Sequence, residues 1–220
     1  MIKILVADDH AIVRDGLKQI LAETDDLRVL GEAANGQEVL QKIRAEEWDV
    51  LLLDLSMPGK SGIELIKQLK KEKPNLHIVV LTMHEEHQYA VRAFKAGALG
   101  YLTKNSASSQ LVTAIRKVAE GGAYVSPALA EKMALDLIPH TDVPPHTLLS
   151  DREYQIFQMI AAGQTISEIA HQLSISVKTV STHKSRIMEK MQLTNQMELI
   201  RYALRHNLLD EPVTGWPNSN

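Results

Sequence analysis

Along the first 122 residues, short apolar runs alternate with stretches in which apolar positions recur every three to four residues. The runs are IKILVA (2–7), RVLGEA (28–33), DVLLLD (49–54), HIVVLT (77–82) and LGYLT (99–103), and they read as strands. Between them, stretches near 10–22, 37–46, 61–71, 85–96 and 107–120 carry the helical period. Strands separated by helices of this length imply right-handed crossovers, hence a doubly wound, five-stranded parallel α/β sheet with helices on both faces. In such a sheet, reactive groups gather at the carboxyl ends of the strands, beside the point where strand order reverses.

The pattern changes after EGGAYVSP. A helix over 127–137 leads into IPHTDVPPHT, where Pro139, Pro144 and Pro145 deny helix and sheet alike and predict an extended linker. From Leu148 to Leu209 the period is helical throughout and proline is absent. The tail DEPVTGWPNSN reads as disordered. The expected organisation is an α/β domain (1–122), a linker with a short helix (123–147), a small all-α domain (148–209) and a tail (210–220).

Composition narrows this picture in three ways. The 220 residues suffice for two cores, and 45% hydrophobic with 23% charged residues is ordinary for a soluble globular chain. The absence of cysteine excludes disulfides, thiolate nucleophiles and cysteine zinc sites. The start MIKILVADDH is a poor signal peptide, and no stretch approaches the roughly 20 apolar residues that span a bilayer, so a cytoplasmic protein without membrane attachment is expected. A net charge of −3 gives no whole-chain sign of nucleic-acid binding, which must come from local patches.

The strand ends carry the chemistry. The first strand ends ADDH, placing Asp8 and Asp9 at its carboxyl end, and the third ends on Asp54. Three converging carboxylates are costly unless a cation offsets them. An oxygen-rich, strongly negative ligand set suits Mg²⁺. The fourth strand ends in the hydroxyl of Thr82, and the fifth is followed by the ammonium of Lys104. Acids, metal, hydroxyl and lysine around one cleft form a phosphoryl-handling site in which an aspartate can be the acceptor. Two other strings mislead. GKS at 59–61 would put the first glycine of a phosphate loop on Asp54, and HEEHQ at 84–88 has its second histidine one residue early for a zinc motif.

Taken together, LVADDH, LLLDLSMPGKSG, VVLTMH and GALGYLTK resemble the receiver domain of two-component response regulators, over about the first 120 residues. The resemblance implies Asp54 as phosphoacceptor, served by a sensor histidine kinase. It implies Mg²⁺ held by Asp9, Asp54 and the backbone carbonyl of Ser56, with Asp8 acting through water. Thr82 would bond the phosphoryl oxygen, Lys104 would pair with the phosphate, and Tyr101 would occupy the switch-aromatic position and pack inward when Thr82 moves.

In the second domain, Ser150 and Glu153 form a capping-box pattern opening a helix with apolar Ile156, Phe157, Met159 and Ile160. Gly163 ends it, and ISEIAHQL forms a short helix carrying Ile166, Ile169, Ala170 and Leu173 on one face. SIS makes a turn with Ser176 as cap, and a longer helix over 177–191 is expected to bury Val177, Val180, Ile187 and Met191. Two helices joined by so short a turn make a helix-turn-helix. The outer face of the longer helix carries Lys178, Thr179, Ser181, Thr182, Ser185, Arg186 and Lys190. Residues 174–206 hold six lysines and arginines against two acids, a local positive patch of the kind a phosphate backbone requires.

This half resembles the LuxR-type effector domain of the NarL/FixJ subfamily of response regulators, through LSDRE…AAGQTISEIAHQLSISVKTVSTHKSRIMEKM. The resemblance implies that residues 177–191 enter the major groove of double-stranded DNA with Ser181, Thr182 and Ser185 toward base edges. Lys178, Thr179, Lys184, Arg186 and Lys190 would make phosphate or neighbouring contacts, and a last helix near 195–206 would pair two copies into a homodimer. Several relatives carry lysine where Ser181 stands, so base preference does not transfer. The expected function is a phosphorylation-dependent transcriptional regulator, not an enzyme. The rivals are a regulator that dimerises without phosphate and an aspartate-nucleophile phosphatase. The latter usually places nucleophile and acid as D-x-D on the first strand, whereas here the acids are adjacent and the acceptor stands on another strand.

Overall fold

The computed structural model describes residues 1–58, 61–83, 87–106, 108–135, 144–206 and 208–209. They fall into two compact units, one running through the helix that ends at Leu135 and one beginning at Pro144.

In the first unit, β1 (Ile2–Ala7), β2 (Leu27–Ala33), β3 (Val50–Leu53), β4 (His77–Thr82) and β5 (Gly100–Thr103) form one sheet in the order β2-β1-β3-β4-β5, every neighbouring pair parallel. The connecting helices are α1 (Ala11–Ala22), α2 (Gly36–Ala45), α3 (Gly62–Glu72), α4 (His87–Ala96) and α5 (Ser108–Ala119). On one face Ile4, Val6, Val50, Leu52, Val79, Leu81 and Leu102 pack with Leu17 and Leu21 of α1 and Leu111, Ala114, Ile115 and Val118 of α5. Each valine, leucine or isoleucine among them contributes about 1.5–3 kcal/mol when fully withdrawn from water. Alternation sends Leu5, Leu51, Leu53, Val80, Thr82 and Tyr101 to the other face, so β3 is buried on both sides. The β3 ladder takes only VLLL, four residues flanked by Asp49 and Asp54. Asp49 accepts the Lys3 backbone N–H at 2.7 Å, and Asp54 lies just past the last rung.

After α5, Gly121 (φ +83°) turns the chain back along the sheet. Tyr124 donates its N–H to Leu99 O at 2.8 Å and accepts from the Tyr101 N–H at 3.1 Å, a short parallel bridge that covers the open edge of β5. The next helix, α6 (Pro127–Leu135), packs on α4. The stretch from 123 to 135, expected as linker, thus adds to the first unit, because its backbone finds partners on β5 and its helix an apolar neighbour. The rest of the expected linker at 136–143 and the tail at 210–220 lie outside the described residues, as do Gly59 and Lys60 of GKS and His84, Glu85 and Glu86 of HEEHQ.

The second unit is helical: α7 (Asp151–Ala161), α8 (Ile166–Gln172), α9 (Val177–Lys190) and α10 (Gln196–Arg205). It starts earlier than the proline count predicted. Pro145–Leu148 is a turn of 3-10 helix, with Pro145 at its first position, where a missing N–H costs nothing. That turn seats the buried ring of His146 with Nδ1 2.8 Å from the hydroxyl of Tyr202 on α10. Capping boxes at Ser150/Glu153 and Thr165/Glu168, and side-chain caps at Ser176 and Asn195, start the four helices. Between α8 and α9, Ser174 takes a left-handed conformation (φ 53°), which permits the tight reversal. Ile156, Phe157 and Ile160 of α7, Ile169 of α8, Val180 and Ile187 of α9, and Leu199 and Ala203 of α10 form the core. Val177, expected in that core, is instead 50% exposed at the first position of α9.

Candidate functional site

Strand order reverses between β1 and β3, and the carboxyl ends of β1, β3, β4 and β5 bring Asp8, Asp54, Thr82 and Lys104 to one rim. Backbone bonds fix the strand ends: Asp8 N–H to Ala33 O (3.0 Å), Asp54 N–H to Ala7 O (2.9 Å) and Lys104 N–H to Thr82 O (2.8 Å). Asp8 and Asp54 are each only 2% exposed. Both are bound by one ammonium, with Lys104 Nζ 2.6 Å from Asp8 Oδ2 and 2.7 Å from Asp54 Oδ2. Burial alone would depress the Lys104 pKa, but hydrogen bonds from its ammonium to Asp54 and Asp8 outweigh it and hold the pKa above the ordinary lysine value. The other Asp54 oxygen, Oδ1, accepts the Ser56 N–H at 3.0 Å, so the turn after β3 aims the carboxylate.

Asp9 is more open, with 29% of its side chain exposed. One ligand atom from each of Asp8, Asp9, His10 and Asp54 lies within 4.8 Å of the others. Three carboxylates facing one lysine leave excess negative charge, and this donor set fits a divalent cation. Thr82 is fully buried on the same sheet face as Tyr101, which is 1% exposed and in register with Val80. Thus Asp8, Asp9, Asp54 and Lys104 cluster at the rim, and Thr82 ends β4 on the same rim. His10 was not anticipated. Its only signal in the sequence is its place after the paired acids in ADDH. Arg14 was also not anticipated; it donates to the Asp8 carbonyl (2.7 Å) and to Glu32 (3.0 Å), bracing the end of β1.

The helix-turn-helix is α8, the four-residue turn 173–176 and α9. Along α9, Lys178, Thr179, Thr182, Ser185 and Arg186 are exposed, and Ser181 and Lys184 are half-buried. Thr182 donates its hydroxyl to Lys178 O (3.0 Å) and Ser185 to Ser181 O (3.1 Å), so each keeps its oxygen lone pairs outward. Thr179 belongs to the Ser176 cap, its N–H bonded to Ser176 Oγ at 3.0 Å. Lys184 ties α9 to α10 through Gln196 Oε1 at 2.7 Å. Lys190, expected among the phosphate contacts, is exposed, and its Nζ sits 2.6 Å from Oε2 of Glu153, a carboxylate 4% exposed on α7. Burial pushes the Glu153 carboxyl up, but the Lys190 ion pair and the Ser150 N–H overcome this and hold it below the usual glutamate value.

Residues 4–116 match the response regulator receiver domain family, and residues 147–203 match the luxR family of bacterial regulatory proteins. The chain is 41% identical over 211 residues to the response regulator GacA of Pseudomonas syringae pv. syringae, covering 96% of this chain and 99% of that one. It is 40% identical over 215 residues to the oxygen regulatory protein NreC of Staphylococcus carnosus, covering 94% and 99% respectively. Among solved structures it is similar to RcsB from Salmonella enterica serovar Typhimurium bound to promoter P1flhDC in the presence of phosphomimetic BeF3-, with a TM-score of 0.67, 30% identity and coverage of 91% of this chain and 97% of that one. With both halves matched in order and relatives aligned over nearly their whole length, the chain belongs to the NarL/FixJ family of two-component response regulators, a receiver domain followed by a LuxR-type helix-turn-helix.

Proposed function

We propose that this protein is a transcriptional regulator switched by phosphorylation of Asp54. The observation that carries the reading is a buried acceptor with both oxygens engaged, Oδ2 by Lys104 (2.7 Å) and Oδ1 by the Ser56 N–H (3.0 Å), beside the more open Asp9. In the transfer, an Asp54 oxygen attacks the phosphorus of a kinase phosphohistidine, the P–N bond breaks, and the imidazole leaves with the electron pair. Asp9, Asp54 and the Ser56 carbonyl would hold Mg²⁺, with Asp8 acting through water. When bound, the ion offsets charge on the transferring group. Lys104 gives up part of its pairing with Asp54 to meet the new phosphoryl oxygens. Thr82 supplies a hydroxyl to one of them, and Tyr101, on the same sheet face, responds to the shift.

The output is binding of double-stranded DNA through α9, with Ser181, Thr182 and Ser185 toward base edges and Lys178, Thr179, Lys184, Arg186 and Lys190 making phosphate or neighbouring contacts. Exposed Met197 and Leu204, with Arg201 between them on α10, supply a surface by which two copies pair on a two-fold site. The RcsB structure bound to promoter P1flhDC in the presence of BeF3- supports this reading by similarity. Among the described residues no helix is long and apolar enough to cross a membrane, in keeping with a cytoplasmic regulator.

The test is DNA binding and dimerisation of the full chain with and without beryllofluoride and Mg²⁺, beside Asp54→Ala. Beryllofluoride on the carboxylate mimics the acyl phosphate. It is expected to tighten both in the parent and leave Asp54→Ala unchanged. Equal DNA binding by both proteins under all conditions would remove Asp54 from control and leave a constitutive DNA-binding regulator.

A further inference from the structure

Every exposed residue of α9 is polar or charged except Val177, which stands 50% exposed at the first helical position. Helical spacing puts Val177, Ser181 and Ser185 (i, i+4, i+8) in one row, so Val177 heads the row that the two serines continue. The cap fixes this end of the helix. Ser176 Oγ accepts the Thr179 N–H at 3.0 Å and lies 2.8 Å from Thr179 Oγ1. With those two hydroxyls turned on each other, Val177 is the side chain by which the capped turn adds apolar surface to the row.

In a helix-turn-helix the N-terminal residues of the second helix meet base edges. Most groups on the floor of the major groove are hydrogen-bond donors and acceptors, for which a valine has no use. The apolar one is the C5-methyl of thymine. A valine in a helix keeps essentially one χ1 rotamer, so its two methyls are set in advance and lose little freedom on meeting a partner. Leaving those methyls in water gains nothing for the fold, whereas covering them against a base removes apolar area from both partners.

We propose that Val177 is a specificity-determining residue, packing against the C5-methyl of a thymine in each half of the DNA site and selecting thymine at that position. The inference rests on the reading of α9 as the helix that enters the major groove. Ser181 and Ser185, one and two turns further along the row, then meet the hydrogen-bonding edges of neighbouring bases. The row thus reads one base by its methyl and the next by their polar groups.

The experiment uses the full-length protein with beryllofluoride and Mg²⁺. The parent first selects duplexes from a random pool, and each thymidine in one half of the selected site is then replaced in turn by deoxyuridine, which lacks only the methyl. The same duplexes are titrated with Val177→Ala, a change that suits an exposed helical position and removes both methyls. Burying one methyl group is worth about fourfold in affinity. The parent is therefore expected to bind one deoxyuridine duplex about fourfold more weakly than the thymidine duplex, and Val177→Ala to bind the two alike, with the remaining positions unchanged between the proteins. Matching deoxyuridine profiles in the parent and Val177→Ala overturn the role of Val177 and leave α9 as the DNA-binding helix. A loss in Val177→Ala that is uniform over all duplexes also overturns it, marking the side chain as a support of the helix and not a reader. If the parent enriches no sequence from the pool, the reading of α9 fails and the inference with it.

Discussion

Lys104→Met keeps the length and apolar stem of the side chain and removes only the ammonium that holds two buried carboxylates 2.6 and 2.7 Å away. Removing one partner of a buried ion pair costs about 3–5 kcal/mol. Here the Lys104 side chain is 10% exposed, and the Ser56 N–H and the His10 N–H still bond Asp54 and Asp8. Those remaining bonds place the expected loss at the lower end, about 3 kcal/mol. With a urea dependence of about 2 kcal/mol per molar, the receiver midpoint should fall by about 1.5 M in EDTA. Trp48, 8% exposed with its indole N–H on Lys42 O (3.1 Å), reports the transition by fluorescence once Trp216→Phe removes the other indole. Mg²⁺ at 100 times its dissociation constant adds about 2.7 kcal/mol to any protein that binds it only when folded. At one fixed Mg²⁺ concentration the gain should be larger in Lys104→Met than in the parent, because the ion there meets carboxylates no lysine has neutralised. A variant that unfolds at the parent midpoint in EDTA would refute the claim that Lys104 compensates buried charge.

In the second unit, Glu153→Gln should cost about 1–2 kcal/mol near neutral pH, discounted from the buried-pair value because Lys190 is 40% exposed. Glu153 is held below its ordinary value of 4.5, so its contribution is present above that pH and fades as pH falls through the lowered folded value. Melting curves of the parent should therefore drop more steeply than those of Glu153→Gln as pH is lowered from 5 toward 3 (about two units spanning that ordinary value). At the start of α3, a Cβ on Gly62 would stand 2.6 Å from the Leu55 Cα, so Gly62→Ala should lower stability by about 1–3 kcal/mol and slow labelling of the neighbouring Asp54 by a small phosphodonor. For DNA, Lys178→Ala with Arg186→Ala should flatten the slope of log affinity against log salt by about 1.8, since each phosphate contact contributes about 0.9.

The sheet and its acid rim were legible because periodicity and position carried them. The five strands start and stop within one residue of their runs, since short apolar stretches flanked by acids and turns leave the ladder little choice of register. The capping boxes at Ser150 and the cap at Ser176 were legible for a similar reason, as they are local bonds between residues three apart. What escaped depends on groups distant in sequence. Tyr124 closes the edge of β5 with two backbone bonds, which side-chain pattern cannot announce. Pro145 looked like a linker residue, but a proline at the first position of a helical turn is as comfortable as one in an extended segment, and the turn exists because His146 docks on Tyr202, 56 residues away. The Lys190–Glu153 ion pair likewise joins groups 37 residues apart, which spacing along α9 does not announce.

The two buried charge clusters differ in balance, and the difference separates architecture from chemistry. Glu153 and Lys190 match one to one, with the Ser150 N–H bonding the same carboxylate, so the cluster is closed and has no call for another ion. At the sheet rim one ammonium serves Asp8 and Asp54, while Asp9 stands beside them with, among the described residues, a histidine against it. Such a cluster is a poor way to stabilise a fold, because uncompensated buried charge opposes folding. It is tolerated where a cation supplies the missing partner, which then binds more tightly for having been anticipated by the protein's own charges. The surplus carboxylates are therefore the feature that distinguishes a cleft fit for a cation from a structural ion pair. Replacing Asp8 or Asp9 by asparagine relieves that surplus and should raise stability in EDTA even as it removes the reason for the cleft.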